Sequence, residues 1–181
     1  MRKPVSSHKT CWIVLSCVLL VLFLILTGLL ISDCRMERKR ENSYMRVLYY
    51  DLRDIAAQAK VISEMDSFEG DGLLALYHLR VLLHTTDEDF VTHSVYLKEQ
   101  TPAAVGIWFS QRSAILQQLC QAEHIDTEKV KNFASRLQTD VEAMFQPFVG
   151  DDGLNFNDDM TIEEFTSTIS EVHSERQDVF H

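Results

Sequence analysis

Residues 11–32, CWIVLSCVLLVLFLILTGLLIS, carry no charged side chain over 22 positions, and Ser16, Thr27 and Ser32 are their only hydroxyls. A helix of that length reaches about 33 Å, close to the ~30 Å hydrocarbon thickness of a bilayer. Lipid offers no hydrogen bonds, so a spanning segment must satisfy its own backbone and is helical. The chain therefore reads as a short basic tail (1–10), a transmembrane helix (11–32), a basic juxtamembrane stalk (33–42) and a tethered domain (43–181). A cleavable leader is not expected. The apolar run exceeds the usual 7–15 residues, and it ends Leu30-Ile31-Ser32-Asp33-Cys34 without a small-x-small site. Cys34 follows a charged residue and Cys17 lies too early in the run, so neither suits N-terminal lipidation; reversible acylation of Cys34 stays open.

Two signals bear on orientation, and they disagree. The tail offers Arg2, Lys3 and Lys9, the far flank Arg35, Arg38, Lys39, Arg40 and Arg46, which by count favours a cytoplasmic domain. A short basic tail running straight into the first apolar segment instead resembles a signal-anchor, with the domain outside. The second reading is preferred, so the expected location is a membrane, single-pass, with the domain leaning extracytoplasmic.

Charge divides the chain at the same boundary. Residues 1–42 hold seven Lys/Arg and three Asp/Glu; residues 43–181 hold ten and twenty-four, a net charge of −14. Such an acidic domain repels nucleic acid and anionic lipid, so no nucleic-acid partner is expected. Only Cys120 of the four cysteines belongs to the domain, which rules out an internal disulfide framework. No N-x-S/T sequon occurs.

Beyond the membrane the pattern is helical throughout. Met45, Leu48, Leu52, Ile55, Ala59 and Ile62 recur at steps of 3, 4, 3, 4 and 3 in a stretch without Pro or Gly. That heptad seam suits the first helix of an intramolecular bundle or a short homodimeric coiled coil; the repeat lasts under three heptads, which favours the bundle. An unbroken helix from lipid into the bundle is expected. Residues 66–72, DSFEGDG, break it. Leu73–Leu83 is apolar nearly all round, which predicts a helix buried at the centre. Thr86 followed by Asp87, Glu88 and Asp89 reads as a new helix start, and Thr101-Pro102 as another, running to about Glu123 with Trp108, Ile115, Leu116, Leu119 and Cys120 on one face. Asp126 caps the next, with Ile125 and Val130 as a staple and a stripe of Val130, Phe133, Ala134, Leu137, Val141, Met144 and Phe145 that Pro147 ends. After a loop at 150–159, Thr161 and Glu164 form a capping box for a helix with Ile162, Phe165, Ile169 and Val172 inside, and Met160 and Phe165 placed for another staple. The fold expected is all-α: one N-terminal transmembrane helix, a stalk and a bundle of about five to six helices.

Chemical motifs are sparse. The acidic loop 151–164 fits an EF-hand in neither register, since Leu154 and Phe156 take ligand positions in one, Ile162 takes position 12 in the other, and no Gly falls at position 6. Cys120 and His124 stand at i and i+4, a spacing that can present two ligands to Zn²⁺; a site needs three or four, so no metal site is predicted and the pair is only a candidate. Asp89 and His93 form an exposed i, i+4 pair by spacing. No G-x-S-x-G, P-loop, H-E-x-x-H or C-x-x-C occurs, so no catalytic or cofactor-binding residues are assigned, no cofactor is expected, and the chain is not read as an enzyme. What remains is a single-pass protein anchored in the lipid bilayer, an interaction or adaptor protein acting through a protein partner at the membrane, with Tyr44, Tyr49 and Tyr50 as candidate contacts and the seam of Met45, Leu48, Leu52, Ile55, Ala59 and Ile62 as an alternative homodimer surface. The alternative is a ligand-sensing helical domain that signals through a partner membrane protein.

Overall fold

A computed structural model describes residues 7–96, 103–122 and 124–176. It is all-helical among these residues, with five α-helices: α1 (Ser7–Glu64), α2 (Asp71–Tyr96), α3 (Ala103–Gln121), α4 (Thr127–Phe145) and α5 (Ile162–Arg176). A 3₁₀ turn, Gln146–Phe148, follows α4, and the only strand-like pairing among the described residues is an isolated bridge between Val149 and Phe156. The chain divides into two units, Met1–Arg40 and Glu41–His181.

In the first unit the apolar side chains of α1 from Trp12 to Ile31 are exposed. By length and composition this stretch is one candidate membrane span.

The second unit is built on the far part of α1. Met45, Leu48, Leu52, Ile55, Ala59 and Ile62 are all fully buried within the domain's own core. The seam is thus occupied intramolecularly, and a second chain would have to open the bundle to reach it. Gly70 lies at φ +53°, a left-handed conformation that ends the 65–70 turn at low cost only for glycine. At Gly72 an added Cβ would meet the Ser67 carbonyl oxygen at 2.4 Å, so the turn into α2 closes too tightly for any side chain.

The new helix start at Thr86 does not exist. α2 runs through it, and Thr86 is buried mid-helix. Leu76, Leu79, Leu83, Thr86 and Phe90 keep steps of 3 and 4 along one buried face, so packing of the whole face outweighs a local capping preference. The expected cap at Thr101-Pro102 lies outside the described residues.

The later elements follow their local signals. The Asp126 side chain accepts from the Lys129 amide at 3.1 Å, and α4 buries the stripe from Val130 to Met144. The Thr161 amide donates to Glu164 Oε2 at 2.9 Å while the Glu164 amide donates to Thr161 Oγ1 at 3.3 Å, a complete capping box. Loop 149–160 straps over α1. Arg46 Nη2 donates to both oxygens of Asp158 at 2.6 and 2.7 Å, the Tyr49 hydroxyl and Arg53 donate to the Leu154 carbonyl, and Phe156 enters an aromatic cluster with Tyr49 and Phe165.

Candidate functional site

The residues singled out by sequence resolve one by one. α3 ends at Gln121, so His124 falls past the helix and does not share a helical face with Cys120. Cys120 is half-buried and its thiol is pushed up by burial, with Arg80 opposing. A thiol held protonated is a poor nucleophile and a poor metal ligand. No cluster of three or more His, Cys, Asp or Glu able to hold a metal ion occurs among the described residues. In the loop, Asp152 accepts from the Leu154 and Asn155 amides, both at 2.9 Å, which holds its carboxyl below the usual range. Glu164 is lowered by its Thr161 contacts, and Asp158 clasps Arg46. These carboxylates organise the strap and α5. Tyr44 and Tyr49 are buried in the core, while Tyr50 is exposed with its hydroxyl 3.3 Å from Asn155 Oδ1. The His93 side chain lies outside those described.

The departure from expectation lies on α2. Its composition predicts a helix buried on all sides, yet Leu74, Tyr77 and Val81 are 66, 64 and 40% exposed, and Leu73 and Val91 are exposed beside them. The helix carries two rows. The inner one, Leu76 to Phe90, faces the core. The outer one, offset by two residues and so turned about 200°, faces solvent. A shallow groove of about 410 Å³ runs between α2 and α3. Tyr77, Arg80, Val81 and His84 form one wall; Ser110, Ala114 and Gln117 form the other, so small side chains keep it low. Two helical rows flanking a shallow floor form a surface onto which another element can pack.

Two polar centres lie inside the domain. Asp51 of α1 lies near Asp89 of α2 and Asp54, and its Oδ2 is buried without a hydrogen-bond partner among the described residues. Burial first, then Asp89 and the Asp54 charge, push Asp51 up to about 6. The second centre joins α3, α4 and α5. Arg112 is 4% exposed and sits 4.6 Å over the Trp108 ring; Asp140 and His173 are buried nearby. Burial lowers Arg112 to about 10 against the opposing pull of Asp140, and burial then Arg112 hold His173 below its ordinary value. Sequence reasoning missed both centres, because each depends on helices brought together only by the fold. The outer row of α2 was legible as a second 3–4 register beside the first.

No protein-family model matches the chain, and no match is found among curated proteins or solved structures, so its geometry alone guides a functional reading.

Proposed function

We propose that the chain is a single-pass, membrane-anchored helical interaction protein whose domain sits outside the cytoplasm and engages a protein partner through the outer face of α2 and α3. One observation carries this reading: α2 has the composition of a helix covered on every side, while its Leu74, Tyr77 and Val81 face is uncovered. Exposed apolar surface gathered in one patch marks an interaction site far more often than scattered single residues do. The anchor supports the same reading, since confinement to a bilayer raises the encounter rate with other membrane proteins. No reaction is assigned.

A photo-crosslinking residue at Tyr77 of the full chain, in its native membrane, tests the surface. A discrete protein adduct is expected there and not at Val61, an exposed position of α1. Equal adducts at both positions, or none at Tyr77, would sink the reading. The side is tested separately by Leu154→Cys in a chain whose own cysteines are replaced by serine, with a membrane-impermeant maleimide. Labelling of intact cells is the outcome expected.

A further inference from the structure

What docks on the outer face of α2 is constrained in shape and in charge. The outer row of α2, Leu74, Tyr77, Val81, His84, Glu88 and Val91, advances by 3, 4, 3, 4 and 3. The facing row of α3, Ile107, Ser110, Ala114 and Gln117, advances by 3, 4 and 3. The two helices pack side by side: Phe90 stacks on Phe109 at 5.7 Å, and Gly106 lets α3 close on Phe90 and Val91. Both rows therefore present the alternating 3–4 ridge that receives knobs from a third helix lying along the groove. Seventeen residues separate Leu74 from Val91, about 26 Å of helix, enough for some five turns of a partner.

Arg80 is the charged side chain on the groove wall, and Asp87 and Glu88 lie beyond it along α2, with His84 Nε2 3.5 Å from Glu88 Oε1 between them.

Resting on the interaction reading above, we infer that the groove between α2 and α3 receives an amphipathic α-helix of another protein, with apolar residues at 3–4 spacing, carboxylates against Arg80 and cations against Asp87 and Glu88. A second copy of this chain fits less well. With α2 paired parallel, Arg80 meets Arg80 and Glu88 meets Glu88. Paired antiparallel with Arg80 against Glu88, the two copies set His84 against His84 at the centre of the seam, where a helix of the stated pattern places an apolar residue.

The test uses the full chain in zwitterionic nanodiscs and three synthetic 18-residue helices with leucine at every seam position. One carries glutamates in one half and lysines in the other; the second only lysines; the third only glutamates. A fourth peptide has the composition of the first with its seam scrambled. Fluorescence anisotropy should show the mixed helix binding about fivefold tighter than either single-sign helix, as expected for a few rim charges, and the scrambled peptide not at all. Tyr77→Asp should abolish binding and Arg80→Glu should remove the preference for the mixed helix, with circular dichroism confirming that each variant stays folded; Val61→Asp should change neither. Equal binding of all four peptides overturns the inference. Crosslinks from Tyr77 in cells separate it from the broader reading. Adducts mapping to a segment with apolar 3–4 spacing and both charge signs support it. Adducts to a non-helical segment, or to this chain itself, overturn the helix from another protein while protein binding stands. No adduct overturns both.

Discussion

Helices α4 and α2 place their apolar residues on different surfaces. In α4 the apolar stripe lies on the buried face: Val130, Phe133, Ala134, Leu137, Val141 and Met144 are inside with Asp140 among them, Phe145 packs partly buried at the end, and no large apolar side chain is exposed. In α2 the buried row is one of two, and the second remains in water although it is built from Leu, Tyr and Val. Each exposed apolar side chain forgoes roughly 1.5–3 kcal/mol of transfer free energy that burial would give. α4 shows that this chain makes a clean amphipathic helix where only folding is asked of it. The excess on α2 is then surplus to folding, and it is the surplus that suggests binding.

The largest expected effect breaks or keeps that contrast directly. Leu79→Ala on the inner row should destabilise the domain by about 3 kcal/mol, through lost transfer energy and a residual cavity. Leu137→Ala on α4 should cost a similar amount. Tyr77→Ala on the outer row should stay within about 0.5 kcal/mol. Urea unfolding of the full chain in nanodiscs, followed by circular dichroism, measures all three. If Tyr77→Ala costs as much as Leu79→Ala, the outer row belongs to the fold and the contrast is false.

How α2 begins is the next point of pressure. α4 starts at a side-chain cap, which Ser, Thr or Asn can imitate; the first turn of α2 holds a glycine, Gly72, that has no substitute. Gly72→Ala drives a methyl to within 2.4 Å of a backbone oxygen, and backbone must move. A cost of about 2 kcal/mol is expected in the same urea measurement, against a smaller cost for Asp126→Ala at the exposed α4 cap. Equal costs would mean that the turn before α2 adapts.

These differences also explain what could be read from the sequence. The α4 and α5 boundaries were legible because their causes are local: Asp126, Pro147, and the Thr161–Glu164 box act within one turn. The 66–72 break was legible for the same reason. Thr86 misled because its capping signal is also local, while its burial is decided by four other members of the inner row. The all-round apolarity of Leu73–Leu83 predicted burial correctly for one face and wrongly for the other, since periodicity reports that a face wants cover and not what supplies it. Arg112, Asp140 and His173 come from three helices, and no spacing rule links them.

The inner side of α2 is also set apart from α4 by pH. Asp51 titrates at about 6 in the folded domain and near 3.9 when unfolded. The folded state therefore holds the proton more tightly, so this contribution is complete below about pH 4 and is lost as pH rises through about 6. Asp51→Asn should remove that decline and raise stability at pH 7.5 by about 1 kcal/mol, a value reduced because water screens part of the repulsion at a half-buried site. His173 acts with the opposite sign: its folded value is depressed, so its contribution is present above about 6.5 and is lost as pH falls. Subtracting the Asp51→Asn curve from that of the unmutated chain, between pH 4 and 8, isolates the carboxyl pair from the histidine. A flat difference would mean that burial and Asp89 do not raise Asp51.

The smallest effect is expected at the strap. Arg46 grips Asp158 with short paired bonds, and Asp158 lifts the guanidinium above its usual value, yet both side chains are about half exposed, at 52 and 58%. Water and salt screen such a pair, so Arg46→Ala should cost about 0.5 kcal/mol, and less at 1 M salt. The strap is also held by the Tyr49 hydroxyl and Arg53 on the Leu154 carbonyl, and by Phe156 in the aromatic cluster. Phe156→Ala should therefore exceed Arg46→Ala severalfold and show no salt dependence. That ordering would place the strap with α4, as a part whose buried apolar face accounts for its position. The reverse ordering would make the strap an electrostatic latch on α1 and leave α2 no longer alone in carrying features the core does not explain.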